Sequence, residues 1–162
     1  PESQAALEIT PVLDEPLGLV SPARSAAGRK VSRGGPAKLS ELTRLPLILP
    51  ERSHALRKLV ETQAALAGHK LHVDLEISSV QSILDLVRAG HGHAVLTSSA
   101  VAASGDPSAF RLRTLVEPRI TSTLCLAVSA HKPATPLSKR VFRMLRELIV
   151  AAVDEQTHNK TR

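Results

Sequence analysis

Three short polar stretches carry side chains suited to gripping a ligand. Pro50-Glu51-Arg52-Ser53-His54 follows the apolar run Pro46–Leu49, Ser78-Ser79 follows an alternating stretch ending at Ile77, and Thr97-Ser98-Ser99 follows Leu96. In an open parallel sheet, ligands sit beyond the carboxyl ends of the strands, which is where all three stretches would fall. Each also leads into a helix start, where free backbone N–H groups and the positive end of the helix dipole favour an anion or a carbonyl oxygen. Arg52 adds a guanidinium able to pair bidentately with a carboxylate. Hydroxyls, N–H groups and one arginine make chemistry of holding rather than converting. Taken singly, a Ser or Thr at a helix start is most often only a cap, and Arg52 alone reads equally well as a surface arginine.

The histidines offer a second kind of chemistry. His91 and His93 flank Gly92 in LVRAGHGHAVLT. They could ligate a metal, or they could mark the turn where a helix hands over to a strand. A structural zinc site needs four ligands. Cys125 is the sole thiol, no second pair has a recognised spacing, and His69 and His72 fall near the opposite end of a strand. The handover reading is preferred, with no metal and no cofactor. There is no Gly-x-Ser-x-Gly elbow, phosphate loop or Gly-x-Gly-x-x-Gly motif. Asp74 and Glu76 share one side of a strand and could do acid–base work, but a solvated strand face is the simpler reading. No enzymatic activity is expected.

Composition narrows the field further. The 162 residues include two Phe and no Trp or Tyr, so the core must be aliphatic and a pocket would lack flat walls for nucleobases or flavins. The net charge of +6 has one local excess, Arg24, Arg29, Lys30, Arg33 and Lys38, in a stretch rich in small residues and proline. Without interleaved aromatics it reads as a solvated loop rather than a nucleic-acid arm. Single Cys125 precludes an intrachain disulfide, fits a reducing compartment, and is expected to be buried in TLCLAV. No signal peptide is visible, and no apolar run reaches the roughly 18 residues of a membrane span. A cytoplasmic location is expected, and a chain opening on Pro1 rather than Met looks like a fragment or processed product.

The elements that must position these residues follow from periodicity. LEITPVLDEPLGLVSP reads as two short strands broken at Pro16, and AKLSELTRL as a short helix. Pro46–Leu49 reads as a strand buried on both faces. Residues 53–67 place Leu56, Leu59, Val60, Ala64 and Ala67 on one helical stripe, with Ser53 as cap and Gly68 as stop. Leu71, Val73, Leu75 and Ile77 alternate as in a strand. Val80, Ile83, Leu84 and Val87 return to helical spacing, capped by Ser78 or Ser79 and stopped by Gly90. HAVLT, FRLRTLV and STLCLAV are strands, and a long helix starts with Thr135 as cap and Pro136 as first residue. The middle of the chain is therefore strand-helix-strand-helix-strand, which favours parallel pairing and right-handed crossovers.

The stretches LGLVSP, LSELTRLPLILPERSHALRKLVETQAALAG, LEISSVQSILDLVRAGHGHAVLTSSAV and RTLVEPRITSTLCLAVSAHKPATPLSKRVFRMLRELI, in that order, resemble the effector-binding domain of LysR-type transcriptional regulators. The flavour is closest to nitrogen-assimilation-regulator-like members. The likeness covers Leu13 to Ile149 and rests on order and spacing rather than on one diagnostic motif. It implies an α/β fold like that of type 2 periplasmic binding proteins, with two lobes across a cleft. Lobe I would be residues 1–20 and 98–153, incomplete here; lobe II would be 21–97; and 154–162 would be a polar tail. It implies a small polar or anionic effector held near Leu49 to Ser53, Ser78 to Val80 and Thr97 to Ser99, the same strand ends as above. Thr97 stands where the family usually carries proline.

The resemblance also implies homo-oligomers, a dimer or, in a full-length protein, a tetramer. DNA would be reached only through a winged helix-turn-helix and linker helix that this chain lacks. The first strand-helix-strand portion of lobe I is absent too, which leaves an open sheet edge that invites association. Rival readings are an extracytoplasmic solute-binding protein of the same fold, a hydrolase or transferase using Asp74, Glu76 or a histidine, and an oligomerisation module built on the C-terminal helix.

Overall fold

The computed structural model describes residues 7–24, 34–130 and 135–159, the last seven of them as backbone only. Arg29, Lys30 and Arg33 of the expected basic loop, and the end of the polar tail, lie outside the described residues. In chain order the strands and helices are β1 (Leu7–Pro22), β2 (Ala37–Lys38), β3 (Leu47–Leu49), α1 (Ala55–Leu66), β4 (Val73–Glu76), α2 (Val80–Arg88), β5 (Ala94–Thr97), α3 (Ser98–Ala102), β6 (Phe110–Val116), β7 (Thr121–Ser129) and α4 (Pro136–Asn159). Short 3-10 turns cover Leu39–Arg44 and Pro107–Ala109. The chain divides into two compact units, one running to Asp14 and resuming at Thr123, the other Glu15–Ser122.

In the second unit, β3 is fully buried along its length, as its unbroken apolar run requires. It pairs in parallel with β4 on one side, Leu47 opposite Val73 and Leu49 opposite Glu76. On the other side it meets the start of β5: Leu47 bridges His93 in parallel, and the Ile48 N–H donates to the His93 carbonyl at 2.7 Å. The order β4-β3-β5 means that α1, leading from β3 out to β4, and α2, leading from β4 back past β3, cross in opposite directions. Right-handed crossovers then put them on opposite faces of the sheet. The core confirms this. Leu49, Val60 and Ala64 pack on the α1 side, and Ile48, Ile83 and Val87 on the α2 side.

β1 continues the sheet antiparallel to both β5 and β6, with Leu19 opposite Val95 and Arg113. It is one strand of 16 residues, not two broken at Pro16. The ladders to β5 and β6 begin at Leu17 and Gly18, so the missing N–H of Pro16 falls just before them, where neither ladder needs it. β2 adds in parallel beside β6. Arg113 pins the described end of the basic loop to this edge. Its Nε donates to the Gly35 carbonyl at 2.7 Å, Nη2 to Pro36 at 2.8 Å and Nη1 to Glu41 at 2.8 Å. That guanidinium also holds the Glu41 carboxyl below its ordinary range.

The stops and most caps follow the sequence. Gly68 and Gly90 adopt φ of +73° and +84° at the ends of α1 and α2. The Ser79 hydroxyl accepts from the Ser82 N–H at 3.3 Å, and Thr135 accepts from Ser138 N–H at 3.1 Å. In the first unit β7 pairs with β1, and Thr123 donates to the Asp14 carboxylate. Cys125 is exposed there, not buried. Thr123, Leu124 and Cys125 are exposed in succession, so alternation along this strand does not divide an inside from an outside.

Gly92 is fixed by close approach: a Cβ there would lie 2.8 Å from the Pro46 carbonyl oxygen and 3.0 Å from Ile48. Gly92→Ala is expected to cost about 1–3 kcal/mol through that clash with backbone, read as a lower urea midpoint at unchanged m-value. His93 beside it is half-buried, with Nδ1 2.8 Å from the Ser21 hydroxyl. Burial, and then the nearby Arg111 charge, push its pKa below the ordinary 6.5. The unfolded chain therefore binds a proton near pH 6.5 that the folded chain refuses, and stability falls as pH drops below that value. Above it, this histidine makes no contribution to the slope. Urea unfolding of the native chain minus His93→Gln, across pH 5–8, should isolate that acid-side slope; parallel curves would refute the assignment.

Candidate functional site

The strand order sets where the expected ligand-binding segments emerge. β3 and β4 are adjacent, yet the chain leaves them toward opposite faces, into α1 and α2. Such a switch point opens a crevice beyond the carboxyl ends of the two strands. The ends are in register, with Leu49 opposite Glu76 and the Ile77 N–H donating to the Leu49 carbonyl at 3.1 Å. Residues 50–54 and Ser78-Ser79 thus emerge side by side. β5 lies next to β3, so Thr97 emerges on the side of β3 away from β4, two residues beyond the level of Leu49.

At the first end, Leu49 and Pro50 are buried, whereas Glu51, Arg52, Ser53 and His54 are exposed. Ser53 is not the cap of α1. His54 is, its Nδ1 accepting from the Leu56 N–H at 3.2 Å. The helix starts one residue later than the stripe implied, because the His54 N–H closes a turn onto the Glu51 carbonyl at 2.9 Å. At the second end, Ser79 is a cap, Val80 packs toward the core beside Ile77, and Ser78 is exposed.

At the third end the donors are already used. Glu15 on β1, 8% exposed, receives the Ser99 hydroxyl at 2.6 Å, the Ser99 N–H at 3.2 Å and the Ser98 hydroxyl at 3.4 Å. The Thr97 hydroxyl accepts from the Ala100 N–H at 3.3 Å and lies 3.0 Å from the Ser99 hydroxyl. Sequence reading passed over Glu15. The signal was present in the period-two pattern, since Glu15 shares its parity with Leu17 and Leu19, which face the core.

A second missed residue is Arg57. It lies on the buried stripe of α1, three and seven residues before Val60 and Ala64, and is only 1% exposed. Its Nη1 donates to the Pro50 carbonyl at 3.1 Å, and Nη2 reaches Glu61 at 2.8 Å and Glu76 at 3.4 Å. Glu76 also draws Arg52, whose Nε lies 3.6 Å from the same oxygen. Glu76 is therefore not merely part of a solvated strand face, as the pairing with Asp74 implied. Asp74 instead takes His72, at 2.9 Å.

A groove of about 530 Å³ runs along α1 and β4, lined by Arg52, Arg57, Glu61, His69, Lys70 and Glu76 among others. Of the expected effector-binding residues its lining includes Arg52, and of the rival acid–base and histidine candidates it includes Glu76, His69 and His72. His91 is exposed after the end of α2, and His93 turns to Ser21. Among the described residues no group of three or more His, Cys, Asp or Glu side chains is placed to hold a metal ion. No helix among them is long and apolar enough to cross a membrane.

Known proteins agree with this architecture. The regulatory domain of CcmR from Synechocystis PCC6803, solved in complex with 2-PG, superposes with a TM-score of 0.73 at 20% identity, covering 91% of this chain and 69% of that one. The effector-binding domain of QuiR in complex with shikimate gives 0.66 at 16% identity, over 85% of this chain and 63% of that one. In sequence, a probable nitrogen assimilation transcriptional activator of Synechococcus elongatus is 24% identical over 111 residues, 68% of this chain. The chain spans 36% of that relative's length. The fold is the α/β, periplasmic-binding-protein-like fold of such regulatory domains. A family model described as the LysR substrate binding domain matches residues 1–149, and the chain belongs to that family.

Proposed function

We propose that this chain senses a small, polar or anionic metabolite at the carboxyl ends of β3, β4 and β5 and reports it, without converting it, to the DNA-binding part of a LysR-type regulator. The observation that carries the reading is the in-register pairing of Leu49 with Glu76 at a switch point, which supports a common site for Arg52 and the donors at the start of α2. The effector-binding residues are Leu49–His54, Ser78–Val80 and Thr97–Ser99. Glu15 divides their roles. Its carboxylate occupies Ser98 and Ser99, so the ligand's charge belongs at Arg52 and Ser78-Ser79, and a neutral hydroxyl or carbonyl end points toward Thr97.

The mechanism is a population shift. A ligand that prefers one conformation of this domain enriches that conformation in proportion to its differential affinity. In a cytoplasmic homo-oligomer the change is passed to neighbouring subunits. A solute-binding role outside the cytoplasm is disfavoured by membership of a regulator family. CcmR and QuiR domains bound to 2-PG and shikimate supply the first probes. Calorimetric titration of both into the intact regulator should give saturable binding of at least one. Arg52→Ala should weaken it about tenfold, as loss of a charge-assisted pair does. Glu15→Gln should tighten an anionic probe by removing a nearby like charge. Absence of saturable binding, with DNA binding indifferent to added metabolites, would dispose of the reading.

A further inference from the structure

We propose that Arg57 is a positioning residue for the β3–β4 crevice, tying the Pro50 turn to the end of β4 so that the two ligand-facing segments move as one; this rests on the function proposed above. The geometry is specific. One guanidinium nitrogen holds the Pro50 carbonyl, the first carbonyl beyond β3, and another holds Glu76, the last residue of β4. Glu76 in turn is 3.6 Å from Arg52. Arg57 thus reaches two of the groups around the crevice directly, and Arg52 through Glu76, while remaining inside the protein. A planar fork can serve two directions at once in fixed geometry; a lysine ammonium cannot.

Energetics favour a geometric over a stabilising role. A buried guanidinium must offset its lost hydration, and a well-packed apolar residue often does as well or better for stability. Arg57 does so incompletely, because its Nε has no hydrogen-bond partner. An unsatisfied buried donor in a native fold calls for an explanation, and here it accompanies an arginine whose other nitrogens span the two strand ends. Glu61 supplies the third contact, from the same helix and away from both ends.

Amide hydrogen exchange on the native chain, Arg57→Lys and Glu61→Gln tests this without any ligand. The reporters are the amides of His54 and Leu56 in the first segment and of Ile77 and Ser82 in the second. Arg57→Lys should speed exchange at both sets together, about tenfold, while Ala94–Thr97 on β5 is unchanged. Glu61→Gln should leave all of them within about twofold. Acceleration of one set only, acceleration spread evenly through β5, or an equal effect from Glu61→Gln overturns the proposal, since each describes an ordinary structural ion pair. Should Arg57→Lys fail to fold, Glu76→Gln replaces it, with faster exchange expected at Ile77 and Ser82 and also at His54. A second arm titrates 2-PG and shikimate. If the native chain binds a probe, Arg57→Lys should weaken it at least fivefold at similar melting temperature, and equal binding overturns the proposal. If the native chain binds neither, the proposed function is what suffers, and the exchange result still decides whether Arg57 couples the two segments.

Discussion

The burial of β3, paired in parallel with β4 and bridged through Leu47 to His93 at the start of β5, is the constraint from which the rest of the second unit follows. A three-residue strand with no exposed atoms to spare must be covered on two faces, and α1 and α2 cover it from opposite sides. That demand makes the crossovers run in opposite directions. Opposite crossovers send the two helix starts to opposite faces beyond the β3–β4 pair, the place where α/β folds of this kind hold their ligands. Gly92 belongs to the same constraint: β5 approaches β3 so closely at Pro46 that no side chain fits. The placement of the candidate edge is thus a by-product of how an aliphatic strand gets buried.

Much of this was legible because it is written locally. An unbroken apolar run, two helical stripes, Gly68, Gly90, Ser79 and Thr135 each specify their role within four residues of themselves. What was not legible depends on distant partners. Glu15 and Ser99 are 84 residues apart, and Arg57 and Glu76 are 19 apart; no window of sequence reveals that those charges meet. Both nonetheless sit on the buried parity of their element, so a charged residue on an apolar face was a usable warning. Pro16 misled because it breaks a ladder only where a ladder is needed. The choice of His54 over Ser53 as cap turned on a single turn closing onto Glu51. At Cys125 the strand pattern was right and the inference of burial was not, because strand propensity says nothing of what covers a face.

One exposed ion pair and one buried carboxylate divide the candidate site into unlike halves. The Arg52–Glu76 contact is solvent-exposed, and such pairs are worth ~0–1 kcal/mol. An incoming carboxylate can therefore take Arg52 from Glu76 at little cost. Glu15 is different: it is almost fully buried and accepts from two hydroxyls and an N–H. Displacing it would leave a buried carboxylate without partners, a penalty of several kcal/mol, more than a small ligand's single contact returns. Under the proposed function the exposed half is open to exchange and the buried half is not. A ligand with one anionic end and one neutral polar end suits that division, and a dianion spanning both ends does not. Selectivity among metabolites would then come as much from the carboxylate the protein keeps at Ser98 and Ser99 as from the arginine it offers.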